Sequence, residues 1–327
     1  MNMDFLKLEE WLRERGEPAF RKNQILSWIF QKNTLSFDKM TNLSGELRDG
    51  LALEFLLPSL HMVKKEEGLQ TTKCLWQLFD GHFIESVEIL APNRRTICVS
   101  SQVGCSLGCA FCASGKKGLR RDLTAFEIVQ QVLLSGSAPT NIVFMGMGEP
   151  LLNYENALSA IRLFSEQMQL SQRRISLSTA GIVENILLLA REKLQINLVI
   201  SLHAASQAKR AKIMPIAKKY PLETLLAAAE EYFQVTGRDV AFEYVLLKGI
   251  NDSPEDARAL TTIMKRSHFS VNLIPYNPVA GSPYQSPDRE TIEGFFNFLQ
   301  DEKVVVTRRY AKGQSINAAC GQLALHH

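Results

Sequence analysis

Cys98-Val-Ser-Ser-Gln-Val-Gly-Cys105-Ser-Leu-Gly-Cys109-Ala-Phe-Cys112 places four of the six cysteines within fifteen residues, the last three spaced C-x3-C-x2-C. Gly104 and Gly108 allow tight turning, so one compact loop can direct three thiolates toward one point. Three thiolates from a single loop suit three corners of a cubane iron–sulfur cluster and leave a fourth iron without a cysteine. Structural zinc instead takes four protein ligands, commonly from two separated pairs. No second pair exists, because Cys74, Cys98 and Cys320 are singletons. Buried inert cysteines are a further alternative, weakened by the spacing.

Outward from this loop, 327 residues suffice for one large domain and a small one. The net charge of +3, from 37 basic and 34 acidic residues, does not by itself indicate nucleic acid. The amino-terminal Met1-Asn2-Met3-Asp4-Phe5-Leu6-Lys7-Leu8-Glu9-Glu10 lacks the basic start and apolar run of a signal peptide, and no segment has a membrane span's roughly 18 apolar residues. Unpaired cysteines fit a reducing compartment, so a cytoplasmic location is expected, with no membrane association.

Residues 1–57 read as a small helical domain. Phe5, Leu8, Trp11 and Leu12 recur at helical spacing, followed by Phe20, Ile25, Leu26, Ile29 and Phe30 and then Leu47, Leu51, Leu53 and Phe55. Its Arg13, Arg15, Arg21 and Lys22 read either as a solvated face or as an RNA-docking surface. Residues 58–92 alternate like a β-hairpin linker around Asp80-Gly81. Across 93–313, strands at 95–101, 141–146, 174–179, 196–202, 239–247 and 270–275 alternate with helices centred on 125–135, 154–166, 183–192, 221–234 and 254–266. A later helix near 288–299 leads to a strand near 303–309. Repeating β-then-α units predict an α/β fold with parallel strands and right-handed crossovers. Residues 314–327 form a short tail containing Cys320.

In such folds function gathers at the carboxyl ends of the strands. Met145-Gly146-Met147-Gly148-Glu149-Pro150 follows one strand, Ser178-Thr179-Ala180-Gly181 another, Ser201-Leu202-His203 the next, and Tyr276-Asn277-Pro278 the sixth. Each alone could be a turn or helix cap, and His203 could be a core histidine.

C-x3-C-x2-C followed by Ala113-Ser114-Gly115 resembles the radical S-adenosylmethionine (SAM) enzymes, whose catalytic core is a partial (β/α)6 barrel. The Arg21-Lys22-Asn23-Gln24-Ile25 run leading to Trp28-Ile29-Phe30, together with Ile316-Asn317-Ala318-Ala319-Cys320-Gly321-Gln322-Leu323, is similar to the radical SAM RNA adenine methyltransferases of the RlmN/Cfr family. The resemblance covers essentially the whole chain. It implies a [4Fe-4S] cluster on Cys105, Cys109 and Cys112. SAM would contact Gly148, Glu149, Ser178, Ser201, Leu202, His203 and Asn277, with two molecules used per turnover. It implies Cys320 as a methyl carrier forming S-methylcysteine, Cys98 as the resolving thiol through a transient disulfide with Cys320, and Glu85 as proton acceptor, though a surface carboxylate is the plainer reading of Glu85. The family's substrate is an adenosine of the peptidyl-transferase centre in 23S rRNA and, in some members, a tRNA anticodon-loop adenosine. A flavodoxin-type electron donor and a monomeric state are also expected.

Met-Gly-Met-Gly-Glu-Pro150 and Asn272-Leu-Ile-Pro275-Tyr-Asn resemble the C2-methylating branch rather than the C8-methylating resistance branch. Tyr276 stands where tryptophan is frequent, and Asn317 where aspartate is frequent. Two other classes stay open: a non-catalytic RNA-binding protein with a structural metal, and a radical SAM enzyme with a small-molecule substrate. Basic doublets at Arg94-Arg95, Lys116-Lys117, Arg120-Arg121, Arg173-Arg174, Lys218-Lys219 and Arg308-Arg309 are candidate phosphate contacts.

Overall fold

The apolar stripes of the first 57 residues close on one another. A computed structural model describes residues 5–136, 138–309 and 312–323. Helix α1 (Phe5–Glu14) buries Leu8, Trp11 and Leu12 against Ile25, Leu26, Ile29 and Phe30 of α2 (Phe20–Phe30) and Leu47 and Leu51 of α3 (Gly45–Glu54). Ser44 starts α3 by accepting the amide hydrogen of Leu47 at 3.2 Å, satisfying one of the free donors of the first turn. Phe5 meets the edge of Phe126, ring centroids 5.3 Å apart, and so seats the helical unit on the next layer.

The segment expected to be a two-stranded hairpin contains three strands: β1 (Leu60–Glu67), β2 (Thr71–Leu78) and β3 (Phe83–Ala91), all antiparallel neighbours. Strand β1 escapes sequence reading because its Lys64-Lys65-Glu66-Glu67 half is charged; it lies at the sheet edge, where one row of the ladder meets solvent. Strand β4 (Arg94–Cys98) then changes the character of the sheet. It is antiparallel to β3 on one side and parallel to a later strand on the other.

After β4 the chain leaves the sheet to form a small antiparallel ribbon, β5 (Gln102–Gly104) and β6 (Leu119–Asp122), enclosing the cysteine loop and the short helix α4 (Ala113–Lys116). Gly104 has φ +80° and no room for a side chain: a Cβ there would stand 1.9 Å from the Gly118 carbonyl oxygen. Helix α5 (Ala125–Leu133) begins with a reciprocal Thr124–Glu127 capping box. Buried Gln131 accepts from Ser100 N at 2.8 Å and donates to Ser100 O at 2.9 Å, fixing the chain just beyond Cys98.

The parallel series continues as β7 (Asn141–Phe144), α6 (Tyr154–Glu166), β8 (Ile175–Thr179), α7 (Val183–Arg191) and β9 (Asn197–Ser201). Helices α8 (Gln207–Ile213) and α9 (Leu222–Thr236) precede β10 (Val240–Leu246). The chain then forms α10 (Pro254–Met264), β11 (Phe269–Pro275), α11 (Arg289–Asp301) and the short β12 (Val306–Arg308). One ten-stranded sheet results, ordered β1-β2-β3-β4-β7-β8-β9-β10-β11-β12. Its strands from β4 onward are parallel and joined by helical crossovers, as the alternation predicts and as the partial (β/α)6 barrel implied by the resemblance requires. No described helix is long and apolar enough to cross a membrane.

Candidate active site

Ten of the predicted site residues line one cavity at the carboxyl ends of the parallel strands: Cys105, Cys109, Cys112, Gly148, Glu149, Ser178, Ser201, His203, Asn277 and Cys320. The cavity follows from topology, since a parallel sheet brings successive strand exits to one edge. Gly148 has φ +101°, and a Cβ would lie 2.5 Å from that of Gln102. Only glycine lets the β7 exit pass the start of the cluster loop this closely. The Glu149 amide donates to Gln102 Oε1 at 2.8 Å, and its buried carboxylate accepts from Leu151 N (3.0 Å) and Ala180 N (2.7 Å). Burial raises this carboxyl to about 7 despite those donors. A cationic ligand group would therefore find a carboxylate that gains from the pairing.

His203, at the β9 exit, is buried; its Nδ1 accepts from Val245 N at 3.1 Å and its ring meets Phe111 edge-on at 4.7 Å. Burial, then the Arg210 charge, lower it to about 3, so it is a neutral imidazole. Leu202 is wholly buried and does not line the cavity, whereas Ser201 and His203 on either side do. Arg210 was not anticipated. Its guanidinium, fully buried, donates to the carbonyls of Ala180 (2.8 Å), Leu202 (3.2 Å), Ser201 (3.3 Å) and Tyr220 (3.4 Å), tying the β8 and β9 exits together. Glu243 was also missed. It sits within the apolar Val240-Ala-Phe-Glu-Tyr-Val-Leu246 strand, lines the cavity and pairs with Arg309 at 3.1 Å. A lone acid in a buried parallel strand was the available signal.

Among the described residues no three His, Cys, Asp or Glu side chains converge closely enough to bind a single ion. The three loop thiols instead surround the cavity wall, which suits a cluster taking one thiolate per iron better than one zinc. Burial raises the Cys105 thiol to about 12 and pushes Cys109 up as well, aided by neighbouring thiols. Ligation would displace those protons.

Cys320 belongs to two cavities. Beside the first lies a second, of about 310 Å³, lined by Cys98, Val87, Ile89, Ala91, Arg94, Thr96, Arg309 and Lys312 among others. Met145, Ile274, Asn277 and Cys320 line both. The tail is fastened where it crosses the boundary. Asn277 Nδ2 donates to Cys320 O at 3.0 Å while its Oδ1 accepts from Gln314 at 2.7 Å. Ala113 N donates to Gly321 O at 2.8 Å, Ser114 Oγ to Leu323 O at 2.6 Å, and Gln322 Nε2 to Pro278 O at 2.8 Å. The tail thus rests directly on the helix that follows the cluster loop.

No disulfide joins Cys98 and Cys320 in the structure: all six cysteines are free thiols, so such a bond is not a standing part of the fold. Cys98 ends β4 in a buried position, and its thiol is pushed up by burial, then by Cys320. The Cys320 side chain faces the cavities with exposed surface, yet the enclosing walls, then Glu243, raise it to about 11. Both thiols are shifted away from the thiolate form in the ligand-free protein. Glu85 lines neither cavity. It is buried on β3, on the face shared with Val87, Ile89 and Ala91, beside tail residues Ser315, Ile316 and Asn317. It is not the surface carboxylate of the plainer reading.

The basic doublets divide. Arg121 is held by a fork to Glu127 at 2.9 and 3.0 Å, and Arg309 by Glu243, whereas Arg94 and Lys312 line the second cavity.

A parallel barrel whose strand exits and three-cysteine loop face one cavity defines a radical SAM enzyme. Residues 99–260 match the Radical SAM superfamily, and residues 1–56 match the ribosomal RNA large subunit methyltransferase N-terminal domain. The chain is 50% identical to the probable dual-specificity RNA methyltransferase RlmN 2 of Protochlamydia amoebophila, covering 99% of this chain and 94% of that one. It is 42% identical to the probable dual-specificity RNA methyltransferase RlmN of Trichodesmium erythraeum, covering 99% and 95%. A crystal structure of a radical SAM methyltransferase from Sphaerobacter thermophilus superposes with a TM-score of 0.94 at 42% identity, covering 98% and 97%. The chain belongs to the RlmN family of radical SAM methyltransferases.

Proposed function

We propose that this protein methylates C2 of an adenosine in 23S rRNA, and of a tRNA anticodon-loop adenosine, by way of an S-methylcysteine at Cys320. The observation that supports this most is the position of Cys320 on the boundary of two cavities. One contains the cluster cysteines and the strand-end polar groups. The other is largely apolar and carries Arg94, Arg309 and Lys312 at its walls, a composition suited to an adenine ring with its phosphates outside.

Cys105, Cys109 and Cys112 would hold a [4Fe-4S] cluster, and Gly148, Glu149, Ser178, Ser201, His203 and Asn277 form the SAM site. When bound, the cluster supplies the electron that cleaves SAM to a 5′-deoxyadenosyl radical. Everything else falls to the chain. Adenine C2 is electron-poor and is not itself a nucleophile toward a methyl donor, so Cys320 receives the methyl group as a thioether and presents its carbon to the ring after losing a hydrogen atom. This requires the thiolate, and Arg309 is the cation near Cys320 that favours it. Asn277 positions the carrier by holding the Cys320 carbonyl. Glu85 accepts the ring proton, and Cys98, in the same cavity as Cys320, is the thiol that frees the product. Two SAM molecules are consumed per turnover, electrons come from a flavodoxin-type donor, and the protein acts as a cytoplasmic monomer.

The test is mass spectrometry of nucleosides from 23S rRNA and tRNA incubated anaerobically with the cluster-loaded protein, SAM and a reductant. 2-Methyladenosine is expected. 8-Methyladenosine would place the chain in the C8 branch, and SAM cleavage without any methylated adenosine would refute the RNA reading.

A further inference from the structure

The antiparallel part of the sheet carries a chain of ion pairs for which the strand-end chemistry has no use. Glu85 on β3 lies 3.4 Å from the Lys73 ammonium on β2, and both side chains are buried, with 4% and 8% of their surface exposed. Lys73 Nζ also lies 2.9 Å from Glu66 on β1. Glu66 in turn contacts Lys64 at 2.6 Å, and that lysine is well exposed at the sheet edge. Charges of alternating sign therefore step across three neighbouring strands from the interior to solvent.

Strand register makes the arrangement: Lys73 stands opposite Glu66, and Glu85 opposite Leu75, one same-face step along β2 from Lys73. The same face of β3 continues as Val87, Ile89 and Ala91, a wall of the Cys98–Cys320 cavity. Tail residues Ser315, Ile316 and Asn317 border the charged cluster, three residues before Cys320. Buried ion pairs are a weak device for stability, because desolvation consumes most of their attraction and apolar residues of similar size serve as well. A lysine buried between two carboxylates, in a recess bordered by the tail that carries Cys320, calls for another role.

We infer that Lys73 is a positioning residue for proton removal from the adenine ring, orienting the Glu85 carboxylate through their ion pair while Glu66 anchors Lys73. The inference rests on the reading of Glu85 as proton acceptor. In the step concerned a proton passes from ring carbon to a Glu85 carboxylate oxygen, and the C–H electron pair stays on the ring. The ammonium 3.4 Å away fixes the direction in which the buried carboxylate points. Among the described residues, the charged groups lining the Glu85 recess are Lys73 from β2 and Lys64, Glu66 and Glu67 from β1; tail residues 315–317 contribute none.

The experiment compares the full-length, cluster-loaded wild type with Lys73→Met, Lys73→Arg and Glu66→Gln, using RNA carrying either hydrogen or deuterium at C2 of the target adenosine. Lys73→Met should retain iron content and methyl labelling of Cys320. It should form product about tenfold more slowly or worse, accumulate the covalent protein–RNA adduct, and show an increased deuterium isotope effect. Lys73→Arg should recover most of the rate. Glu66→Gln, at a more exposed link, should show the same signature more weakly and serves if Lys73→Met does not fold. Wild-type rate and isotope effect in folded Lys73→Met (in Glu66→Gln where Lys73→Met does not fold), or a loss in a folded variant that arrives together with loss of cluster and of Cys320 labelling, would overturn the inference. An unchanged isotope effect in Glu85→Gln would remove the proton-acceptor assignment itself.

Discussion

The parallel and antiparallel parts of this single sheet build function in different ways. From β4 to β12 the chemistry stands at strand ends: Glu149, Ser178, Ser201, His203 and Asn277 occupy equivalent topological positions around one cavity. From β1 to β3 it stands on a strand face, where Glu66, Lys73 and Glu85 share one side of the pleat. Strand ends offer free backbone groups and loops that can vary, so they suit binding of a cofactor. A strand face offers side chains whose spacing is fixed by register, so it suits holding a base or a wall at a set distance. Cys320 lies on a tail that spans the two, residues 315–317 on the face side and residues 320–323 against the cluster loop.

The most severe way to break this division is to remove the bridging thiol. Cys320→Ala should abolish RNA methylation while leaving the cluster colour and SAM binding intact, as read by absorbance and equilibrium binding. Loss of the cluster as well would mean that the tail is part of the strand-end site and not a bridge.

Next in size is a pH effect confined to the parallel half. Glu149 is raised from 4.5 to about 7 by burial, so the folded state holds this proton more tightly than the unfolded state. The associated stability is present below about pH 4.5 and is lost as pH rises through 7, an effect on the order of 3 kcal/mol in the ligand-free protein. Urea unfolding across that window should show the slope in the wild type and its loss in Glu149→Gln. Substitution at the close approach of β7 to the cluster loop follows: Gly148→Ala should cost about 2 kcal/mol and weaken SAM binding, because φ is +101° and the Cβ has no space. Smallest is the tail fastening. Asn277→Ala should cost about 1 kcal/mol, seen as faster amide exchange over residues 317–323 with little change at the β7 exit.

The same division explains what could be read from the sequence. Alternating β-then-α segments place each parallel strand within a few residues, and the strand-end rule groups the polar motifs in which the resemblance assigns Gly148, Glu149, Ser178, Ser201, His203 and Asn277. Leu202, assigned with them through the resemblance, has its side chain in the core, because side chains alternate along a strand exit. The face-built half was less legible. Charged β1 does not look like a strand, and Lys73 and Glu85 are bordered by tail residues 315–317, remote in sequence. Arg210 and Glu243 were hidden for a related reason: each looks like an ordinary surface or core residue until the carbonyls and the arginine it meets are brought together. The hydrogen bonds fastening Cys320, between residues more than forty positions apart, leave no local pattern.

The most direct test of the account is peptide mass spectrometry of the protein after incubation with SAM carrying an isotopically labelled methyl group, under reducing anaerobic conditions without RNA. The label should appear on the peptide containing Cys320 and on no other cysteine. A label on Cys98 or on the cluster loop, or an unlabelled Cys320 in protein that cleaves SAM, would contradict the placement of the methyl carrier at the boundary of the two cavities.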